Sequence, residues 1–182
     1  MKTLLKLSFV ALLLVSTSSY AQTFKFGHIN MQTLVQLMPE TDSANVALEK
    51  YGKDLEETFQ GMQKEFQSKY ETYQQKQKDW LPAVIEAKEK ELGEIQQRLQ
   101  QFQQTAQQDI AQMQSRLLQP VIKKANDAVE KIAKTNGFTY IFDTSIPSLI
   151  YINNTQSQDI LPLAKQALGI PASKTLPTGN AQ

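Results

Sequence analysis

His28 is the single histidine in the chain, and there is no cysteine at all. Those two facts narrow the chemistry. A thiolate nucleophile and a thiolate metal site are both excluded, and one imidazole cannot form a converging ligand set by itself. A catalytic triad needs a nucleophile beside the base, and nothing near His28 in sequence supplies one. Asp143 and Asp159 are the acids placed next to ordered-looking segments, and their settings suit a turn residue and a helix cap better than an acid/base pair. The sequence holds no G-x-x-x-x-G-K-[ST] loop and no glycine cluster, so no phosphate cradle is expected. Asn153-Asn154-Thr155 fits a glycosylation sequon, a pattern common by chance. The reading is of a protein that is not an enzyme, with no cofactor and no metal.

The elements that would position these residues follow from pattern. Residues 1–21 begin with Lys2 and Lys6, continue through an apolar run, and end in Ser19-Tyr20-Ala21. This is the layout of a secretory signal peptide cleaved after Ala21, and the apolar run is too short to span a bilayer. The remaining chain has 17 Lys and Arg (19 less Lys2 and Lys6) against 18 Asp and Glu. So balanced a charge gives no field that points to nucleic acid.

Residues 24–30 (FKFGHIN) alternate with period two and read as a strand. Residues 31–38 read as a short helix stopped by Pro39. Asp42 or Ser43 then offers an N-cap for a long helix. Apolar residues recur at Leu48, Tyr51, Leu55, Phe59, Met62, Phe66, Tyr70, Tyr73 and Trp80, mostly in steps of three and four. A second stripe runs through Leu92, Ile95, Leu99, Phe102, Ala106, Ile110, Met113, Leu117 and Val121 to Ile132. A narrow stripe on a long helix requires a partner helix to cover it. The two stripes therefore predict an antiparallel hairpin over residues 43–135.

The only break near its middle is Trp80-Leu81-Pro82, because proline removes a donor and clashes with the preceding turn. With the tip placed at 82–90, Tyr51 pairs with Val121, Phe59 with Met113, Met62 with Ile110, Tyr70 with Phe102 and Trp80 with Leu92. Each arm would be roughly 60 Å long. Pro120, Gly52 and Gly61 are expected soft points. The Gln-rich face (Gln96, Gln97, Gln100, Gln101, Gln103, Gln104, Gln107, Gln108) reads as a solvated surface.

Asn136-Gly137 is an expected left-handed helix stop. Residues 138–143 (FTYIFD) and 149–153 (LIYIN) read as two further strands forming a hairpin. Asp159 can cap a last helix over 160–168, with Pro162 in its first turn. Residues 171–182 have the composition of a disordered tail. The fold class is therefore α+β: three strands and two short helices in a small body (22–42 and 136–170), carrying a long coiled-coil hairpin. A body of this size is marginal alone and leaves open sheet edges. It is expected to oligomerise through Phe24, Phe26, Ile29, Phe138, Tyr140, Phe142, Ile150 and Ile152.

The order of these elements carries a resemblance. Ile29-Asn30-Met31 closes the first strand. Gln119-Pro120-Val121-Ile122-Lys123-Lys124 leads to Ala128-Val129 and Ile132-Ala133. Asn136-Gly137-Phe138-Thr139-Tyr140-Ile141-Phe142-Asp143 follows, then Tyr151 and Asp159-Ile160. In this order the chain resembles the Skp/OmpH family of periplasmic chaperones from residue 24 to residue 168. The resemblance implies a homotrimer with a small central barrel and three arms around a cavity. It also implies ATP-independent holding of unfolded outer-membrane β-barrel proteins in the periplasm. Two departures stand out. The best-known members have basic arms, whereas residues 61–100 here hold 7 Lys and Arg and 7 Asp and Glu. Leu161-Pro162 also replaces the Thr that follows Asp-Ile in many relatives. Phe59, Met62, Phe66, Tyr70, Tyr73 and Trp80 are the client-contact candidates, although zipping the hairpin would explain the same stripe. A structural coiled-coil spacer of the cell envelope is the alternative function.

Overall fold

The computed structural model describes residues 24–176. The expected signal peptide and the last part of the tail lie outside them. Strand β1 (Phe26–Ile29) leads into helix α1 (Met31–Leu37). Helix α2 (Pro39–Lys76) runs out along the arm, a short 3-10 turn covers Gln77–Asp79, and α3 (Pro82–Asn136) returns. Strands β2 (Tyr140–Asp143) and β3 (Ser157–Asp159) and helix α4 (Leu161–Ala167) complete the body.

Local chemistry accounts for most of the boundaries. The Asn30 side chain caps α1 by accepting from the Thr33 amide at 2.8 Å. Helix α2 begins earlier than Asp42 or Ser43, at Pro39, whose fixed φ and missing amide suit the first helical position. Asp42 instead lies in the first turn of α2. At the far end of α3, Gly137 takes φ 68° and its amide reaches the Ala133 carbonyl, as does that of Phe138. Pro120 lies inside α3, which continues through it.

The sheet has the order β2-β1-β3, and both pairings are parallel. Phe26 aligns with Tyr140 on one side and with Ser157 on the other. This corrects the expected strand at 149–153. That segment is irregular, and the third strand is Ser157–Asp159. The β-prone sequence LIYIN has the right alternation, but both edges of β1 are already taken. Strands β2 and β3 lie on opposite sides of β1, so the expected hairpin between neighbours in sequence does not form.

One side of the sheet packs on the helices. Ile29, Leu34, Leu37, Met38, Val121, Ala125, Ile132, Ile160, Ala164 and Ile170 form a single buried cluster. Gly27 faces this side and allows a close approach. A Cβ there would stand 3.1 Å from the Phe138 ring and 3.2 Å from Ile160. The expected disordered tail also needs correction over its first part. The carbonyls of Ala172 and Lys174 accept from Lys165, and Leu176 packs against the core.

The arm register differs from the expected one. Phe59 stacks on Phe102, with ring centroids 6.3 Å apart, rather than meeting Met113. Lys69 pairs with Glu91, Arg98 approaches Glu65 at 3.7 Å, and the Tyr73 hydroxyl donates to Glu89 at 2.5 Å. The return arm is thus slipped by about eleven residues, which is close to three helical turns. A stripe repeating at that spacing maps onto itself after the slip, so periodicity alone cannot distinguish the two registers. Pro82 also opens the return helix at its first position instead of beginning the turn. The tip therefore sits at 77–81, not 82–90. Since the chain has no native cysteine, the register is directly testable. Cysteines replacing Met62 and Leu99 should form a disulfide within one chain under mild oxidation. Cysteines replacing Met62 and Ile110 should stay reduced, as read on a non-reducing mobility assay.

Candidate functional site: the arm seam and the outer sheet face

Two surfaces, rather than a cleft of converging polar groups, hold the residues singled out in sequence. The first is the arm. With 38 residues, α2 spans about 57 Å at 1.5 Å per residue. Two helices cannot enclose a stripe completely, and the seam is half open. Phe59, Met62, Phe66, Tyr73 and Trp80 are all only partly buried, and Tyr70 is 44% exposed. Among the described arm residues of this stripe, Ile95 on α3 is buried to 1% exposure. Phe66 stacks on Tyr70 at 5.9 Å, and Tyr73 meets Trp80 at 6.1 Å. The six candidates thus share one seam, along which aromatic side chains touch each other and still reach solvent.

Sequence reasoning missed a residue beside them. Leu81 is 73% exposed at the very end of the arm, and Val84 is exposed just after it. Leu81 belongs to neither stripe, so periodicity gives no signal for it. Its place directly before Pro82 could have marked it as the cap of a helix starting at the tip.

Charge ties the outer half of the arm together. Glu91 accepts from Lys69 and from Lys88, the latter at 2.8 Å. The hydrogen bond from Lys69, then that from Lys88, holds the Glu91 carboxyl down at about 2. The hydrogen bond to Glu89 raises the Tyr73 phenol. These groups are at most partly buried and solvent screens them, so they orient the two helices more than they stabilise them.

The second surface is the outer face of the sheet. Phe24, Phe26, Tyr140 and Phe142 lie together on it, with neighbouring ring centroids 6.3–6.4 Å apart. Phe24, Tyr140 and Phe142 are exposed, Tyr140 by 61%. Ile150 is 96% exposed and Tyr151 79%, in the irregular segment that failed to become a strand. Ile152 is partly buried. Ile29 and Phe138 sit on the other side. Ile29 is in the core, and Phe138 packs against that core under the Lys25 ammonium, which lies 4.2 Å from the ring centroid. Together these rings form a contiguous apolar surface rather than singly scattered exposed residues.

The polar residues have structural roles. His28 Nδ1 and Ser157 Oγ are hydrogen-bonded at 2.9 Å, which joins the central strand to β3. Asp159 Oδ1 accepts from the Leu161 amide at 2.8 Å and so forms a local turn ahead of α4, whose N-cap position is held by Ile160 rather than by the expected Asp159. Asn153 Oδ1 is engaged by the amide and hydroxyl of Thr155, so the sequon builds a local turn. Asp143 does more than make a turn. Its Oδ1 accepts from the Ser145 amide at 2.8 Å, the Ser145 hydroxyl at 2.7 Å and the Met31 amide at 3.1 Å. It therefore fastens the end of β2 to the start of α1, across the whole excursion of the arm. Among the described residues, no three His, Asp or Glu side chains are grouped to hold a metal ion. No helix among them is long and apolar enough to cross a membrane.

These features define a class: a small α+β body with an apolar outer face, bearing one long antiparallel helical arm. The chain belongs to the family described as Outer membrane protein (OmpH-like), which matches residues 25–168. It is also similar to the protein named Chaperone protein Skp from Vibrio cholerae serotype O1. The two are 24% identical over 149 residues, covering 80% of this chain and 88% of the relative.

Asp143 generates a prediction with a definite sign. Burial by itself would raise its carboxyl, but the hydrogen bonds from Ser145 and Met31 outweigh that and hold it below its ordinary value of 3.8. The stability it contributes is complete above that value and is lost as pH falls through the lowered one. Asp143→Ala should cost about 1–3 kcal/mol near neutral pH. That deficit should shrink as the pH is lowered below 3.8. Urea unfolding of both proteins across that range would measure it.

Proposed function

We propose that this protein is an ATP-independent holdase of the periplasm. In this reading its arms wall a cavity that takes up unfolded outer-membrane β-barrel proteins and keeps them from aggregating. The half-open aromatic seam is the observation that carries the proposal. A hairpin built only to be a stiff spacer gains nothing by leaving Tyr70 and the tip residue Leu81 in solvent. Unfolded β-barrel chains present alternating apolar segments that otherwise pair with one another. Many weak contacts with half-buried Phe, Tyr, Trp and Met side chains can hold such segments without choosing one sequence. Membership of the OmpH-like family and similarity to a protein named a chaperone support the same reading.

A cavity needs more than one arm. We assign the assembly contact to the outer sheet face and the adjoining apolar segment, with Phe24, Phe26, Tyr140, Phe142 and Ile150 as its main residues, and a homotrimer as the expected product. Client contacts are assigned to Phe59, Met62, Phe66, Tyr70, Tyr73 and Trp80, joined by Leu81. Residues 61–100 carry equal numbers of acids and bases, so capture should rest on apolar contact and depend little on salt.

Two experiments test these assignments. A urea-unfolded outer-membrane β-barrel protein is diluted into residues 22–182 without nucleotide, and light scattering is followed. Scattering should be suppressed, with a soluble complex of one client per oligomer. Replacing Tyr70, Trp80 and Leu81 by Ser together should weaken suppression several-fold and leave the helix content intact. Full aggregation beside a well-folded wild-type oligomer would refute the holdase and favour an envelope spacer. For the assembly face, Phe142→Asp places a charge in the apolar patch and should shift the protein to monomer in analytical ultracentrifugation.

A further inference from the structure

The chain continues past the family match, which ends at residue 168, and the residues that follow are folded back onto the body. Gly169 takes φ 68° and reverses the backbone after α4. Ile170 drops into the core, and its amide bonds the Lys165 carbonyl at 2.8 Å. Lys165 is itself buried, and its ammonium donates to the carbonyls of Ala172 at 2.6 Å and Lys174 at 2.8 Å. A buried ammonium needs such acceptors, so Lys165 and the segment 169–176 hold each other. The Lys174 amide closes a turn on the Pro171 carbonyl at 3.0 Å. This turn delivers the Lys174 ammonium to Asp42, 2.7 Å away in the first turn of α2. Leu176 then packs against the core.

We infer that residues 169–176 are a strap that braces the base of the arm. The outgoing helix α2 enters the body through Met38 and Thr41, and its first turn has no side-chain cap. The Lys124 ammonium of α3 pairs with Glu40 on that turn, and the strap adds a further hold from the side of α4. Leverage gives this hold its importance. On an arm of about 57 Å, each degree of rotation at the base moves the tip by about 1 Å. A small local restraint therefore sets how far the tip wanders, and in an assembly of several arms it sets how wide the space between them opens. The inference concerns arm motion in the single chain and does not rest on client binding.

The absence of cysteine makes the test clean. Asp79→Cys at the tip and Gln166→Cys on α4 are spin-labelled in one chain. That chain is mixed with an excess of unlabelled protein, so that distances come from within single chains. The strap is released in two independent ways. Lys165→Met keeps the aliphatic stem but removes the donor to Ala172 and Lys174. Leu176→Asp detaches the strap from its other end. In both variants the hydrogen-bonded amides of Ile170 and Lys174 should exchange faster, and the tip-to-body distance distribution should broaden, with overall helix content unchanged. Faster exchange of the strap amides with a distribution of wild-type width would overturn the brace. Unchanged protection of those amides in both variants would overturn the assigned anchors.

Discussion

The fold depends on the parallel pairing of β1 with β2. These strands align residue for residue from Phe26 with Tyr140 to Ile29 with Asp143, yet the whole arm lies between them. A flexible loop of that length would close at a considerable entropic cost. Two long helices, of 38 and 55 residues, bring the chain back instead. Their bases are fixed where Met38, Val121, Ala125 and Ile132 enter the common core, and Asp143 fastens the start and the return of the excursion to each other. The arm and the body are thus one structure: the sheet exists because the hairpin closes, and the hairpin is anchored because the sheet forms.

That arrangement leaves apolar surface unspent in two places. The sheet has helices on one side only, so on its other side the rings of Phe24, Tyr140 and Phe142 are left exposed. The two-helix arm can cover each stripe from one direction only, so its aromatics remain half in solvent. Parallel sheets are ordinarily covered on both faces, and long amphipathic helices are ordinarily covered along their stripe. The uncovered surface on the body suits permanent association with like surfaces, because it is broad and rigidly framed. The surface on the arm suits transient contact, because it is narrow, extended and backed by a lever with few ties to the body. Both proposed uses rest on the same shortage of partner elements within a single chain.

The elements themselves were legible. Alternation gave β1 and β2, the spaced apolar stripe gave both arm helices, and Asn136-Gly137 gave the stop after α3. The Skp/OmpH resemblance was legible as well, because the order of elements around the arm is written linearly. The residues expected at an assembly contact divide between the two sides of the sheet. Phe24, Tyr140 and Phe142 are exposed as a surface role requires, whereas Ile29 is in the core. Alternation says that a strand has two faces, but not which of them the helices will cover. The arm candidates do share one seam, and Leu81 escaped notice because a cap residue belongs to neither stripe.

What the sequence determined alone are the properties set by neighbours along the chain: which segments become helix, where glycine or proline interrupts them, and which residues share a face. What only the tertiary structure decided are choices among equivalent partners. The arm register is one, since a stripe repeating every three turns fits itself after a three-turn slip, and only contacts such as Phe59 on Phe102 distinguish the two alignments. The third strand is another. LIYIN has the stronger strand propensity, but Ser157–Asp159 is where the chain can lie beside β1 and pass directly into α4. The tail is the third, because its polar composition gives no hint that the buried Lys165 needs the carbonyls of Ala172 and Lys174. For the register and the third strand the local pattern permits several solutions, and the choice is made by contacts between residues far apart in sequence; for the tail it is made by the burial of Lys165, which composition does not show.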